Sequence, residues 1–216
     1  MISFKNVTYK IKNKIILKDI TFNIKRHEKV LIVGPSGSGK TTIFNLLLKN
    51  ITTYSGEITY GKENLRCFSN NRLLHYRKNQ VSVISQNDDL FENLTVLENL
   101  TLFYYEKDVV NLLSQLSLSY LKDRYVYTLS GGERQRIYII KAALSSCNVL
   151  LCDEITSALD KENAKKIIEF VLNVFNDKTV IFISHDPEIF DLKIDHLIKI
   201  DKNAFEKDVN IIFENK

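Results

Sequence analysis

Two rhythms of apolar positions run along this chain. Ile2–Tyr9 alternates apolar and polar residues, and Ile15–Ile24 does so again after the polar turn Lys10–Lys14. Period-two alternation predicts half-buried strands. Arg26–Lys29 reads as a turn, and Val30–Val33 is a continuous apolar run, three of its four residues β-branched, that predicts a buried strand. A helix is expected over Lys40–Lys49, a turn at Tyr54-Ser55-Gly56 and a short strand at Glu57–Tyr60. Gly61–Arg77 is polar and mixed, with one short helical piece around Arg72–Arg77. Gln80–Ser85 predicts a strand. From Asn87 to Thr128 the period is helical. One stripe is Leu94, Leu97, Leu100 and Leu102–Phe103, another is Val109, Leu112, Leu113 and Leu116, and both read as packing between two helices. Ser130–Ser146 continues as a helix with Ile137, Ile140, Ala143 and Leu144 on one face. Strands at Val149–Cys152, Val180–Ile183 and Leu197–Ile200 follow, with an amphipathic helix Lys161–Phe175 among them and a polar, charged tail after the last.

Strands alternating with helices predict a mainly parallel sheet with right-handed crossovers, an α/β class. The β-rich start predicts an antiparallel β subdomain beside that sheet. The helical middle reads as an inserted subdomain over residues 87–146, carried on a core of residues 1–86 and 147–216 within one domain.

Composition changes this picture little. Apolar residues make up 44% and charged residues 26% of 216, the proportions of an ordinary globular protein. The net charge of +4 fits a scattered solvated surface. Cys67, Cys147 and Cys152 lack metal-ligand spacing, and an odd count makes no disulfide framework. They read as reduced thiols of a cytosolic protein, two of them in the core. No apolar run approaches the ~18 residues of a membrane span, and no secretory signal is expected. Any membrane role needs a partner chain that supplies the spanning helices.

Chemistry concentrates after the buried strand. Val30–Thr42 reads V-L-I-V-G-P-S-G-S-G-K-T-T, and Gly34, Gly39, Lys40 and Thr41 fill the pattern G-x-x-x-x-G-K-[ST]. Glycines let consecutive backbone N–H groups face inward, and the helix that follows adds its free N–H groups and the positive end of its dipole. Gly34, Pro35, Ser36, Gly37, Ser38, Gly39, Lys40, Thr41 and Thr42 are therefore the candidate polyphosphate cradle. Lys40 reaches the terminal phosphates and the Thr41 hydroxyl reaches Mg²⁺. A plain Gly/Ser turn is the alternative, and the Lys-Thr pair directly after the last glycine speaks against it.

Val149–Glu154, V-L-L-C-D-E, delivers two carboxylates at the end of an apolar strand. Buried carboxylates are costly unless a cation awaits them, and ligands of parallel sheets sit beyond the carboxyl ends of strands. Asp153 is expected to meet the metal near Thr41, and Glu154 to polarise an attacking water. Thr128–Arg136, T-L-S-G-G-E-R-Q-R, presents Ser130 and two bare glycines at a helix start. Ser130 with Glu133 reads as a capping box and equally as a second anion site, and both can hold at once.

This order of motifs, with V-L-L-C-D-E-x-T-S-A-L-D after L-S-G-G-E-R-Q-R, resembles the nucleotide-binding domain of ATP-binding cassette (ABC) transporters over roughly residues 1–200. The resemblance implies a P-loop NTPase core that binds ATP with Mg²⁺. It implies that Gln86 touches the metal and the lytic water and senses the membrane partner. Asp153 would be the metal ligand, through water, and Glu154 the catalytic base, with Lys40, Gln86 and His185 completing the catalytic set. His185, in I-S-H-D, would hold the γ-phosphate. Leu129, Ser130, Gly131, Gly132 and Glu133 would complete the site of a second subunit, and Ser157, Ala158, Leu159 and Asp160 would cross the dimer interface. Implied partners are transmembrane permease subunits on a separate chain and a second cassette, identical or different, with no nucleic acid. The implied location is the cytoplasmic face of a membrane, held peripherally. The S-A-L-D wording and the short helical insertion lean toward export. A soluble cassette acting on nucleic acid or ribosomes is the alternative, against which stands the single cassette without a long coiled coil.

Four positions depart from the family pattern. Ile11 stands where an adenine-stacking aromatic is usual, with Tyr9 on the same strand as the candidate substitute. His27 replaces a turn glycine and is expected to take an unusual φ. Ile155 follows Glu154 where proline or alanine is usual. Lys141 replaces an arginine, keeping charge but losing the fork.

Overall fold

The structure is a computed structural model that describes residues 2–85, 90–145, 147–157, 159–187, 194–202 and 209–215. β1 (Ile2–Ile11) and β2 (Lys14–Ile24) pair antiparallel, from Ile2↔Ile24 to Ile11↔Lys14. β4 (Ser55–Tyr60) lies on the other side of β1, and β5 (Glu63–Asn64) pairs with β4. This antiparallel sheet has the order β2-β1-β4-β5. A second sheet is built from β3 (Lys29–Val33), β6 (Val81–Ile84), β7 (Val149–Asp153), β8 (Thr179–Ser184), β9 (His196–Lys202) and β10 (Val209–Asn215). Its order is β10-β9-β3-β8-β7-β6, parallel throughout except for β10.

The central strands β3, β7 and β8 read as unbroken apolar runs because both faces of a parallel sheet are covered. Val30, Ile32, Leu151, Ile181 and Ile183 join Phe4, Ile20 and Phe22 of the antiparallel sheet and Ile43 and Leu46 of α1 (Lys40–Leu47) in one core. Leu31, Val33, Leu150, Cys152, Val180 and Phe182 face the other way, onto α6 (Lys161–Val174) and one side of α5 (Gly131–Leu144). Between β6 and β7 the chain forms α3 (Val96–Thr101), α4 (Glu106–Gln115) and α5, which share a third core of Val96, Leu100, Val109, Leu113, Ile137 and Ile140. α5 is buried on two sides, with Ile137 and Ile140 toward the helices and Tyr138, Ile139 and Ala142 toward the sheet. α2 (Asn70–Asn79), capped by Ser69, is longer than the piece expected around Arg72–Arg77.

The polar, charged tail expected after Leu197–Ile200 carries a further strand, since Val209–Asn215 forms β10, antiparallel to β9 from Val209↔Lys202 to Asn215↔His196. Leu102 and Phe103, read as core, are 53% and 66% exposed, because α3 stops at Thr101 and the helical period no longer governs them. Cys147 and Cys152 are buried and Cys67 is exposed, all three free.

The turn into β3 shows how the lower edge is tied. His27 has φ 68°, the left-handed conformation expected where glycine is replaced. Lys29 is buried, and its Nζ donates to the carbonyls of His27, Phe175 and Asn176 at 3.1 Å each and to that of Lys178. A cation there satisfies carbonyls left free at the end of α6. Burial holds the Lys29 pKa below its ordinary value.

Candidate functional site

The loop between β3 and α1 turns at Pro35, whose carbonyl accepts from Ser38 N at 3.1 Å. Gly39 has φ 100°, and a Cβ there would lie 2.7 Å from Leu17 Cδ2, so β2 packs directly on the loop. A Cβ on Gly34 would lie 2.6 Å from the Ile200 carbonyl oxygen and 2.7 Å from Ser38 Oγ. That Oγ is buried and has no hydrogen-bond partner among the described residues. α1 begins at Lys40 without a side-chain cap, which leaves its first N–H groups and dipole facing the loop mouth. Lys40 is 5% exposed, and its Nζ donates to the carbonyls of Gly34 at 2.7 Å and Pro35 at 3.2 Å.

A cavity of about 510 Å³ opens over this loop, bordered by Ser36, Gly37 and Gly39 through Thr42, by Ser85, Asp153 and Glu154, and by Ile11 and Ile16. Asp153, the last residue of β7, accepts a hydrogen bond from the Thr41 hydroxyl. Burial, and next the Glu154 charge, push its pKa up, against the pull of Thr41 and Lys40. Glu154 has left-handed φ 50°, held by its N–H donating to Ile183 O at 3.0 Å while its carbonyl accepts from Ser157 N at 3.1 Å and Ser157 Oγ at 3.0 Å. This turn at the strand end sends Glu154 past the sheet, where Oε1 stands 3.8 Å from His185 Nδ1. Glu154 borders both the large cavity and a smaller one, about 80 Å³, shared with Thr156, Ser157, Leu159, Ser184 and His185.

Lys40, Thr41, Asp153, Glu154 and His185 are thus brought together. Uncapped N–H groups, an ammonium and a cavity of that size suit a polyphosphate ligand. The Thr41 hydroxyl beside the Asp153 carboxylate is an all-oxygen donor set suited to a hard cation such as Mg²⁺. Gln86 and Ala158 lie outside the described residues.

The L-S-G-G segment is not part of this cavity. Ser130 caps α5 in a capping box, donating from N and Oγ to Glu133 Oε2 at 2.8 and 2.9 Å and accepting from Glu133 N at 3.3 Å. Those bonds, and Arg124 at 2.9 Å, hold the Glu133 pKa below the usual carboxylate range. Leu129 is buried in the helical core. Gly131 and Gly132 have open space where a Cβ would stand, and neither has a positive φ. Asp160 caps α6, accepting from Asn163 N at 2.9 Å.

Tyr9 does not reach the cavity. It is half-buried against the core between the sheets, while Ile11, 51% exposed, borders the cavity. The register steps from Tyr9↔Leu17 to Lys10↔Ile15, so β2 carries an extra residue, Ile16, and the two-residue alternation fails there. Bulges re-aim side chains, and this one brings Ile16 to the cavity. The sequence reading missed Ile16 and Ser85. Three consecutive apolar residues, Ile15-Ile16-Leu17, in an otherwise alternating strand were the available signal.

A phosphate cradle facing an acid pair across the carboxyl edge of a parallel sheet places the chain among P-loop nucleotide-binding proteins. Comparison with known families narrows that class: a model described as ABC transporter matches residues 17–157, and the chain belongs to the ABC transporter family. Methionine import ATP-binding protein MetN of Chlamydia caviae is 37% identical over 203 residues, covering 88% of this chain and 59% of that protein. Macrolide export ATP-binding/permease protein MacB of Campylobacter jejuni is 31% identical over 200 residues, covering 88% of this chain and 31% of that protein. The chain thus spans over half of one and about a third of the other. Among solved structures, dimeric MJ0796, a bacterial ABC transporter cassette, matches at TM-score 0.78 and 29% identity over 100% of this chain and 98% of that one. A second dimer of MJ0796, in a post-hydrolysis state with ADP and Pi, matches at TM-score 0.78, 28% identity and the same coverage. Among the described residues no helix is long and apolar enough to cross a membrane.

Proposed function

We propose that this chain is the ATP-hydrolysing subunit of a membrane transporter, a single cassette working in pairs beside separate transmembrane subunits. The observation that carries the ATPase reading is the convergence of Lys40, Thr41, Asp153 and Glu154 on one cavity, with His185 3.8 Å from Glu154. Lys40 and the backbone N–H groups of residues 36–42 bind the β- and γ-phosphates of ATP. Thr41 and Asp153, with Gln86, would hold Mg²⁺, which neutralises charge on the transferring phosphoryl group when bound. Glu154 orients a water and accepts its proton, and His185 fixes the γ-phosphate.

The open space where a Cβ would stand at Gly131 and Gly132, beside exposed Ser130, supports a head-to-tail pair in which these residues close over the nucleotide of the other cassette, with Ser157–Asp160 at the junction. ATP then joins two half-sites, and hydrolysis parts them. Such motion, passed to permease subunits at the cytoplasmic face of a membrane, would drive transport. Relatives named for import and for export match this chain comparably, at 37% and 31% identity. Direction of transport therefore rests with the membrane subunits.

The test is Glu154→Gln. The variant binds ATP as tightly as the parent and turns over at least ~100-fold more slowly, the scale for losing a positioned base. Near-normal turnover removes Glu154 from that role. Native purification tests the transport reading: a co-purifying multi-span membrane protein upholds it, and ribosomes or DNA instead would overturn it.

A further inference from the structure

The turn that carries Ser130, Gly131 and Gly132 is held from two sides. Within it, Ser130 Oγ accepts from Glu133 N in the capping box. Arg124 ties that box to the loop before it, donating from Nη1 to Glu133 Oε1 at 2.9 Å and from Nη2 to the Thr128 carbonyl. Arg134, the residue after the box, ties it to a more distant segment. Its guanidinium meets both carboxylate oxygens of Glu92, Nη1 on Oε1 and Nη2 on Oε2 at 3.0 Å, and Nη2 also donates to the Val126 carbonyl at 3.2 Å. Glu92 belongs to a stretch that runs beside residues 122–127. Tyr127 N donates to Glu92 O at 3.3 Å, Val126 N to Leu94 O at 3.1 Å and Val96 N to Arg124 O at 3.0 Å. One guanidinium therefore fastens the first turn of α5 to both sides of this pairing.

A guanidinium fork on a carboxylate fixes direction as well as distance, which an ammonium does not. The Arg134 side chain holds the Glu92 carboxyl below the usual carboxylate range, so the pair is ionised at neutral pH. The two side chains are 30% and 49% exposed, and an ion pair so open to water adds little to stability. α5 is already anchored by Ile137 and Ile140 toward the helices and by Tyr138 and Ile139 toward the sheet. What the pair adds is orientation: it sets residues 126–129, which lead into Ser130, against the helix that follows. A group that must meet a phosphate held on another molecule loses much of its effect when displaced by about an ångström.

We infer that Glu92 and Arg134 are positioning residues for the L-S-G-G turn. Their ion pair sets the approach of Ser130–Gly132 to the nucleotide of a second cassette, and it serves pairing and turnover rather than the stability of the chain. The inference rests on the two-cassette reading proposed above.

The experiment uses the whole chain carrying Glu154→Gln, in which bound ATP persists, and follows ATP- and Mg²⁺-dependent association by light scattering. Adding Glu92→Gln, which keeps the size and removes the charge, weakens association at least about threefold. ATP affinity of the single chain is unchanged, and the melting temperature moves by less than about 4 °C. Arg134→Lys, which keeps the charge without the fork, behaves in the same way. The two changes together lose little more than either alone, because both break one pair. With Glu154 intact, turnover falls in step with association. Association unaltered in both variants, losses that multiply in the double variant, or a loss accompanied by a larger drop in melting temperature overturns the inference. If Glu154→Gln itself does not associate on ATP, the two-cassette reading fails and the inference with it. If it associates and the Glu92 and Arg134 variants associate equally well, that reading stands and the inference alone falls.

Discussion

Asp153 carries a charge that the chain by itself compensates incompletely. Thr41 donates to it and Lys40 lies near, yet burial and the neighbouring Glu154 carboxylate outweigh them and hold its pKa up. A carboxyl that keeps its proton more tightly folded than unfolded subtracts stability at every pH above that raised value. Asp153→Asn removes the charge and retains a partner for the Thr41 hydroxyl. The nucleotide-free variant should melt a few degrees higher than the parent at neutral pH, while Mg²⁺-dependent hydrolysis is lost. Thermal melts beside turnover assays check this, and a lower melting temperature at pH 7 would contradict it. Glu154 shows a related cost in backbone form, since a non-glycine residue at φ 50° is strained. Both departures sit where the chemistry is proposed. They were partly legible beforehand: an acid pair closing V-L-L-C announced the charge, but the backbone strain follows from the pairing of β7 with β8 and left no mark in the sequence.

At the level of elements, two capping boxes of the same design can be told apart by function. Thr95 with Glu98 opens α3, and Ser130 with Glu133 opens α5. Replacing either cap by alanine should cost about 1 kcal/mol in urea denaturation. Thr95→Ala should leave ATP turnover at the parental level, whereas Ser130→Ala should lose it as well. Equal turnover in the two variants would mean that Ser130 only caps. The hydrogen bonds from Thr95 and Ser130 hold Glu98 and Glu133 below the usual carboxylate pKa. Their contribution is present above the unfolded value near 4.5 and is lost as pH falls through the depressed folded values. The box at Ser130 was readable as S-x-x-E, and the buried strands β3, β7 and β8 as unbroken apolar runs. The bulge at Ile16 and the strand β10 were not, for a shared reason: register and edge pairing are settled by a partner strand far along the chain. Tyr9 shares the β1 alternation with Ile11, yet it packs on the core between the sheets while Ile11 borders the cavity, a difference that alternation along one strand does not announce.

At the scale of the whole molecule, the bare glycines of the L-S-G-G segment have no internal use among the described residues. Gly131 and Gly132 stand in the first turn of α5, their φ values suit any residue, and nothing lies within 4 Å of where a Cβ would be. Glycine in a helix costs up to about 1 kcal/mol against alanine, so folding alone would favour replacement. A close approach from outside the chain would account for both glycines, and in the proposed head-to-tail pair that approach is the γ-phosphate held by a second cassette. Gly132→Ala should therefore fold with unchanged or slightly higher melting temperature. The decisive measurement is made in the Glu154→Gln background, where ATP persists. Light scattering should show that variant doubling in mass when ATP and Mg²⁺ are added. Adding Gly132→Ala should weaken this association at least ~10-fold, about 1.4 kcal/mol, while ATP binding to the single chain stays as it was. If the double variant pairs as readily as Glu154→Gln alone, the bare glycines do not face a second nucleotide, and the two-cassette reading of this site fails.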